Sequence, residues 1–422
     1  MIKLVIVADD LTGAADTAAA FAPRLPGNRL AAHEALGRAD LPAGLEMLAV
    51  YTDSRALPVA KAYARLRAAC ARLRSLDPGL VYKKLDSSLR GNTGAELDAA
   101  LDALGLDYSL VAPAYPALGR LTRGGVHLVH GRPVGESEAA RDPVSPVRLS
   151  RLPEIVGSQS RYPVAHVSQD HLADPAVLAG EIGRLVQAGA RHVTLDAVDE
   201  SQLDRILEAS VAGGGRVLLA GSAGLAERLA ARLFPLPARR EPACGPGRPR
   251  LLVCGTASAH TREQLDRLAA ARDYLVQELD PGLLAGLAEH QAAGLAAACL
   301  ADPALRGRDG LIVRVGAGSG APGRAERIVL GLGGVTAHLL PALQPACLFL
   351  SGGDTASAVL TALEAEALRV KGPVLPGTIE SVLVGGPHGG LPVYTKAGAF
   401  GGPDTLVELD RLWDDPSRRM HP

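Results

Sequence analysis

Gly79-Leu-Val-Tyr-Lys-Lys-Leu-Asp-Ser-Ser-Leu-Arg-Gly-Asn-Thr-Gly94 runs from a short apolar stretch straight into charged and hydroxylated side chains. Gly79-Leu80-Val81-Tyr82 reads as a strand. Lys83, Lys84, Asp86, Ser87, Ser88 and Arg90 therefore fan out at its carboxyl end, where open α/β sheets hold ligands. Two ammoniums, a carboxylate, two hydroxyls and a guanidinium suit a small polyhydroxylated anion. Arg90 can fork onto a carboxylate, while hydroxyls and amides read sugar hydroxyls. A solvated strand-to-helix loop is the plain alternative for the same residues.

Working outward, short β-branched runs alternate with alanine- and leucine-rich helical patterns almost from end to end, which predicts an α/β fold with largely parallel sheets. In the first part the expected strands are Ile2–Ala8, Leu45–Tyr51, Leu80–Lys83, Ser109–Ala112, Tyr162–Val167, His192–Leu195 and Arg216–Leu219. Expected helices fill Gly13–Phe21, Val59–Arg74, Pro175–Ala188 and Ser201–Val211. Residues 235–250 carry five prolines, which neither donate to a ladder nor continue a helix, and read as a linker. Strands resume at Leu251–Cys254, Gly310–Val315, Ala346–Leu350, Ser381–Val384 and Pro392–Lys396. The expectation is two α/β domains, 1–234 and 251–422, with an active-site cleft between them. Residues 113–150, rich in Pro, Gly, Arg and Glu, show little periodicity and read as a long irregular functional segment.

Composition narrows the function classes. The 422 residues hold 44 Lys plus Arg against 45 Asp plus Glu, and 3% aromatics. No global basic field or stacking platform is available for nucleic acid, so any cationic site is local. Cys70, Cys244, Cys254, Cys299 and Cys347 are scattered without zinc-like spacing, as buried thiols of a reducing compartment are. The amino-terminal apolar run is too short for a signal peptide or a membrane span, so a cytoplasmic protein is expected.

The first strand ends in Ala8-Asp-Asp-Leu-Thr-Gly-Ala-Ala-Asp16, placing Asp9 and Asp10 just before a helix. Either carboxylate can accept a hydroxyl proton or hold a diol, and one can instead cap the helix. Strand alternation sends the two to opposite sides. Thr52-Asp-Ser-Arg55 ends the second strand and brings Arg55 toward the same place. In the second half, Leu348-Phe-Leu-Ser-Gly-Gly-Asp-Thr355 reads strand, glycine turn, helix, with Gly352 and Gly353 letting backbone approach a phosphate at a helix start. Cys254-Gly-Thr-Ala-Ser258 and Lys396-Ala-Gly398 make similar turns, so Ser258 and Gly398 join Gly352, Gly353, Asp354 and Thr355 as nucleotide-binding candidates. Gly318-Ser-Gly-Ala-Pro-Gly323 matches GxGxxG but contains Pro322 and lacks an acid about 20 residues on. Ala220-Gly-Ser-Ala-Gly224 looks like a nucleophile elbow without a histidine partner, and reads as a close packing turn.

Ala8-Asp-Asp-Leu-Thr-Gly-Ala14, Lys83–Gly91, Gly221-Ser-Ala-Gly-Leu225, Gly352-Gly-Asp-Thr-Ala356 and Lys396-Ala-Gly-Ala-Phe-Gly401 stand in one order across the chain. Together they resemble the four-carbon acid sugar kinase family of threonate, erythronate and 3-oxotetronate kinases. Residues 112–120 and 136–143 look more like the threonate branch. This chain departs from the family's habit with Asp354 for Glu, Ser88 for Thr, and Ala397 and Ala399 for Ser and Gly. The resemblance implies an amino-terminal acid-sugar domain, a carboxy-terminal ATP domain and phosphoryl transfer to the terminal hydroxyl of a tetronate, most simply D-threonate. Mg²⁺ would ride on ATP phosphates and water, with no protein ligand named. Asp10 is the expected general base with Asp86 in reserve, and Asp9, Arg55, Lys83, Lys84, Ser87 and Arg90 are the expected sugar-acid ligands. A nicotinamide-dependent hydroxy-acid dehydrogenase and a non-catalytic sugar-acid sensor are the rivals, and a homo-oligomer is left open.

Overall fold

The structure is a computed structural model that describes residues 2–36, 41–142, 144–212, 216–236, 247–255, 258–316, 324–398 and 400–415. The chain divides into two compact units, residues 1–237 and 238–422. Both are α/β. Among the described residues no helix is long and apolar enough to cross a membrane.

In the first unit the elements are β1 (Leu4–Ala8), α1 (Leu11–Phe21), β2 (Asn28–Ala32), β3 (Met47–Tyr51), α2 (Val59–Arg74), β4 (Val81–Lys84), α3 (Thr93–Leu104) and β5 (Tyr108–Ala112). They continue with β6 (Arg120–Arg123), β7 (Val126–Val129), β8 (Arg132–Pro133), α4 (Leu152–Gly157), β9 (Val164–Val167), α5 (Pro175–Gln187), β10 (His192–Leu195), α6 (Glu200–Ala212), β11 (Val217–Gly221) and α7 (Ala223–Leu233). The main sheet runs β2-β3-β1-β4-β11-β5-β10-β9, parallel throughout. Strands β1, β3 and β5 are buried along their whole length, because helices cover both faces of such a sheet. Strand order reverses between β1 and β4, the switch point above whose carboxyl ends sheets of this kind form a ligand crevice.

The second unit holds β12 (Arg250–Cys254), α8 (Ala259–Ala271), β13 (Tyr274–Leu279), α9 (Pro281–Ala285), α10 (Glu289–Ala301), β14 (Gly310–Val315) and α11 (Ala325–Leu343). After these come β15 (Leu348–Ser351), α12 (Gly353–Ala362), β16 (Ala367–Leu375), β17 (Thr378–Val384), β18 (Pro392–Lys396) and α13 (Thr405–Asp414). Its strands run β13-β14-β12-β15-β18-β17-β16, parallel as far as β18 and antiparallel beyond it. Here the order reverses between β12 and β15. One face buries Leu252, Phe349 and Tyr394 against Leu265 and Leu268 of α8 and Trp413 of α13.

Residues 113–150 are not irregular throughout: β6, β7 and β8 form a small antiparallel sheet. These strands are four, four and two residues long, too short for a period to emerge. Strands β2, β13 and β16 and helix α3 were not expected at all. Of the linker, residues 237–246 lie outside the described residues, as do residues 317–323 with the whole of the GxGxxG match. Ser222 caps α7, accepting from Gly224 N at 3.1 Å and donating to Ala114 O at 3.0 Å, so the elbow-like segment is a packing turn.

Candidate active site

At the β1/β4 crevice the charged candidates hold one another. Arg55 forks onto Asp9, Nε to Oδ2 at 2.7 Å and Nη2 to Oδ1 at 3.0 Å, and Nη2 also reaches Asp10 Oδ1 at 2.9 Å. Asp9 and Asp10 therefore converge on one guanidinium instead of pointing apart. Strand pleating ends at Ala8, and Asp10 is already the cap of α1, accepting from Gly13 N at 3.0 Å and from the Thr12 hydroxyl at 2.7 Å. Burial would raise the Asp9 carboxyl, but Arg55, with Lys83 and Lys84 behind it, holds it below the ordinary value.

Arg90 does not stand free for a ligand. It forks onto Asp86, Nε to Oδ2 at 2.8 Å and Nη2 to Oδ1 at 3.1 Å, and its remaining nitrogen donates to Asp142 at 3.2 Å. Burial opposes ionisation of Asp86, yet Arg90 and then Arg55 keep its carboxyl far below the usual carboxylate range. Lys84, not Lys83, is the lysine that adds to this effect. Lys83 turns inward and pairs with Glu96 of α3 at 2.8 Å, both side chains almost wholly buried. It belongs to the core and leaves the ligand-facing set. Ser87 is fixed through its carbonyl, which accepts from His127 Nε2 at 2.9 Å. Burial pushes His127 down to about 4 and keeps the imidazole neutral.

Lys84 is different. Its ammonium donates to Leu85 O at 2.8 Å, and among the described residues it makes no ion pair within 4 Å. It packs over the first turn of α1, where a Cβ on Gly13 would stand 3.3 Å from Nζ and 2.5 Å from Asp10 Oδ1. Any residue but glycine would crowd both groups. Lys84 and Asp10 thus flank the same turn, a cation with donors to spare across Gly13 from a carboxylate. His127, Asp142 and Ser145, whose hydroxyl donates to Arg55 O at 3.0 Å, were missed; all three come from the segment whose structure the sequence concealed.

In the second unit the turns after β12, β15 and β18 meet. Gly352 N donates to Lys396 O at 3.0 Å, and no side chain caps α12, which begins at Gly353 with Asp354 and the buried Thr355 in its first turn. Ser258 caps α8 by accepting from Thr261 N, and the Thr261 hydroxyl donates to Gly398 O at 2.8 Å. His260 Nε2 donates to Gly401 O at 2.7 Å and Gln264 Nε2 to Gly402 O at 2.7 Å, so α8 supports Gly398, Gly401 and Gly402 after β18. A groove of about 490 Å³ between α8 and α13 has none of the candidate residues in its lining.

An ion-rich crevice on one parallel sheet and an uncapped helix start on another are what a protein binding a polar metabolite and an anionic cofactor on separate units presents. The comparisons agree with that division: the sugar-binding N-terminal domain matches residues 4–229 and the nucleotide-binding C-terminal domain matches residues 251–406. The chain belongs to the four-carbon acid sugar kinase family. It is 34% identical to the D-threonate kinase of Salmonella typhimurium, over 96% of this chain and 97% of that one. It is 32% identical to the D-erythronate kinase of Heliobacterium modesticaldum over the full length of both. A solved Salmonella typhimurium structure, 22% identical, shares the fold with a TM-score of 0.78 over 97% of this chain and 99% of that one.

Proposed function

We propose that this chain is an ATP-dependent, cytoplasmic kinase that phosphorylates the C4 hydroxyl of a four-carbon sugar acid, D-threonate first, with D-erythronate and 3-oxotetronate as neighbouring alternatives. The observation that carries the reading is that Asp10 and Lys84 flank the same glycine at the β1/β4 crevice of a chain whose relatives are named for such acids. In this reading Lys84 meets the anionic sugar acid, Asp9 and Arg55 orient its hydroxyls, and Asp10 takes the proton of the attacking hydroxyl. Asp86 is held ionised by Arg90 and is too weak a base for that task. Magnesium enters as MgATP, the nucleotide substrate. The Gly352–Thr355 turn, Ser258 and Gly398 hold the nucleotide, with the exposed Asp354 accepting from a hydroxyl. Phosphoryl transfer asks mainly for positioning and charge neutralisation, which these groups supply.

ADP release is expected only when magnesium, ATP and a tetronate are all present, and a screen over the tetronate stereoisomers and 3-oxotetronate identifies the acid. NAD reduction without ADP would overturn the reading in favour of a dehydrogenase.

Arg90→Ala is expected to raise the KM for the acid at least ~10-fold, the scale of a charge-assisted contact, with the KM for ATP unchanged. It removes a cation and leaves the Asp86 carboxylate to repel the substrate. An unchanged KM would make Arg90 a structural ion-pair partner alone.

A further inference from the structure

Lys396 ends β18, and its side chain is fully buried. Its ammonium donates to Ala397 O at 3.2 Å, and no ion pair within 4 Å involves it among the described residues. Burial pushes its pKa down to about 8, with only the Cys254 thiol opposing. A buried cation without a countercharge is costly, and proteins keep one where a charge arrives from outside.

The neighbours across the sheet are equally unfinished. Ser351 of β15 and Thr378 of β17 stand opposite Lys396 in register, so their side chains share its face. Both hydroxyls are buried with no hydrogen-bond partner among the described residues. Around this row lie the parts already assigned to the nucleotide. Lys396 O receives Gly352 N, and Lys396 Nζ holds the carbonyl of Ala397, the residue before Gly398. The same residue thus ties together the turn that starts α12 and the turn that α8 braces.

We infer that Lys396 is the buried countercharge for the nucleotide's polyphosphate, a positioning residue that orders the Ala397–Gly398 turn and draws the anion to the ends of β12, β15 and β18. The inference rests on the kinase reading for the presence of a nucleotide, and deepens it by naming the source of positive charge that the Gly352–Thr355 turn lacks. The inner cation is neutralised when the polyphosphate binds, so its burial is unfavourable only in the empty protein.

Lys396→Met tests this, because methionine fills nearly the same volume without charge. Calorimetry with ATP, inorganic tripolyphosphate and adenosine is paired with melting curves. The variant is expected to bind ATP and tripolyphosphate at least ~10-fold more weakly, as loss of a nearby unscreened charge requires, with adenosine binding unchanged. Its Tm without nucleotide should equal or exceed that of the wild type, while the rise in Tm on adding ATP disappears. Unchanged tripolyphosphate affinity in a variant of a turnover-competent protein would overturn the inference and leave the kinase reading intact. A lower Tm without nucleotide, with ATP and adenosine weakened alike, would also overturn it by assigning Lys396 a packing role. A wild-type protein that neither binds ATP nor releases ADP would sink the kinase reading itself.

Discussion

Gly352→Val is expected to abolish detectable ATP binding while sugar-acid binding to the first unit stays within about twofold. Gly352 has φ 97° and ψ 138°, a backbone region that β-branched residues do not enter. Forcing a side chain into such a conformation costs of order 1–3 kcal/mol, and the chain relieves it by rotating the turn. Rotation breaks the 3.0 Å bond from Gly352 N to Lys396 O and the 3.0 Å bond that Gly352 O accepts from Ala356 N, which opens α12. The free N–H groups at the helix start then no longer point at one place. Calorimetric titration of each ligand in turn checks this, and equal loss of both would show global misfolding instead of a local defect.

Asp10→Asn should lower kcat by about 10²-fold or more, the scale of lost acid–base assistance, with ATP affinity little changed. The substitution isolates chemistry from structure. Asparagine caps helices as well as aspartate does, so Oδ1 can still accept from Gly13 N and from Arg55. The amide that replaces Oδ2 donates to the Thr12 hydroxyl where the carboxylate accepted from it, a reversal a hydroxyl tolerates. What disappears is the capacity to take a proton. A Tm within a few degrees of the wild type, together with the fall in kcat, would complete the assignment. Near-normal kcat in Asp10→Asn, with Asp86→Asn inactive, would move the base to Asp86 and reduce Asp10 to a helix cap.

How much of this was legible in the sequence follows from the range of the forces involved. Parallel strands announce themselves through local β-branched runs, so β1, β4, β10, β12 and β18 were readable to within two residues at either end, and the polar clusters at their carboxyl ends came with them. Helix α3 did not. Glu96 and Asp98 are ionisable, yet both are buried, one against Lys83 and the other against His192 at 2.8 Å. A partner far along the chain turns an apparently exposed residue into an interior one, and no local pattern records it. The same holds for Arg55 and Arg90, whose type suggested ligand forks. In the fold Asp9 and Asp86 already occupy them. Alternation sends Asp9 and Asp10 to opposite sides only if it is carried two residues past the strand's end at Ala8.

The contact between Arg90 and Asp142 joins two differently built parts of the first unit. Arg90 follows β4, deep in the parallel sheet, whereas Asp142 sits in the segment of short strands and turns that buries only a few side chains such as Val134, Ala139 and Val147. Exchanges around Asp142 and Ser145 therefore reach the two arginines of the crevice without disturbing the sheet that supports them. Selectivity and stability are thus carried by different parts of the chain: exchanges in this segment are expected to change which acid binds while the melting temperature stays within a few degrees.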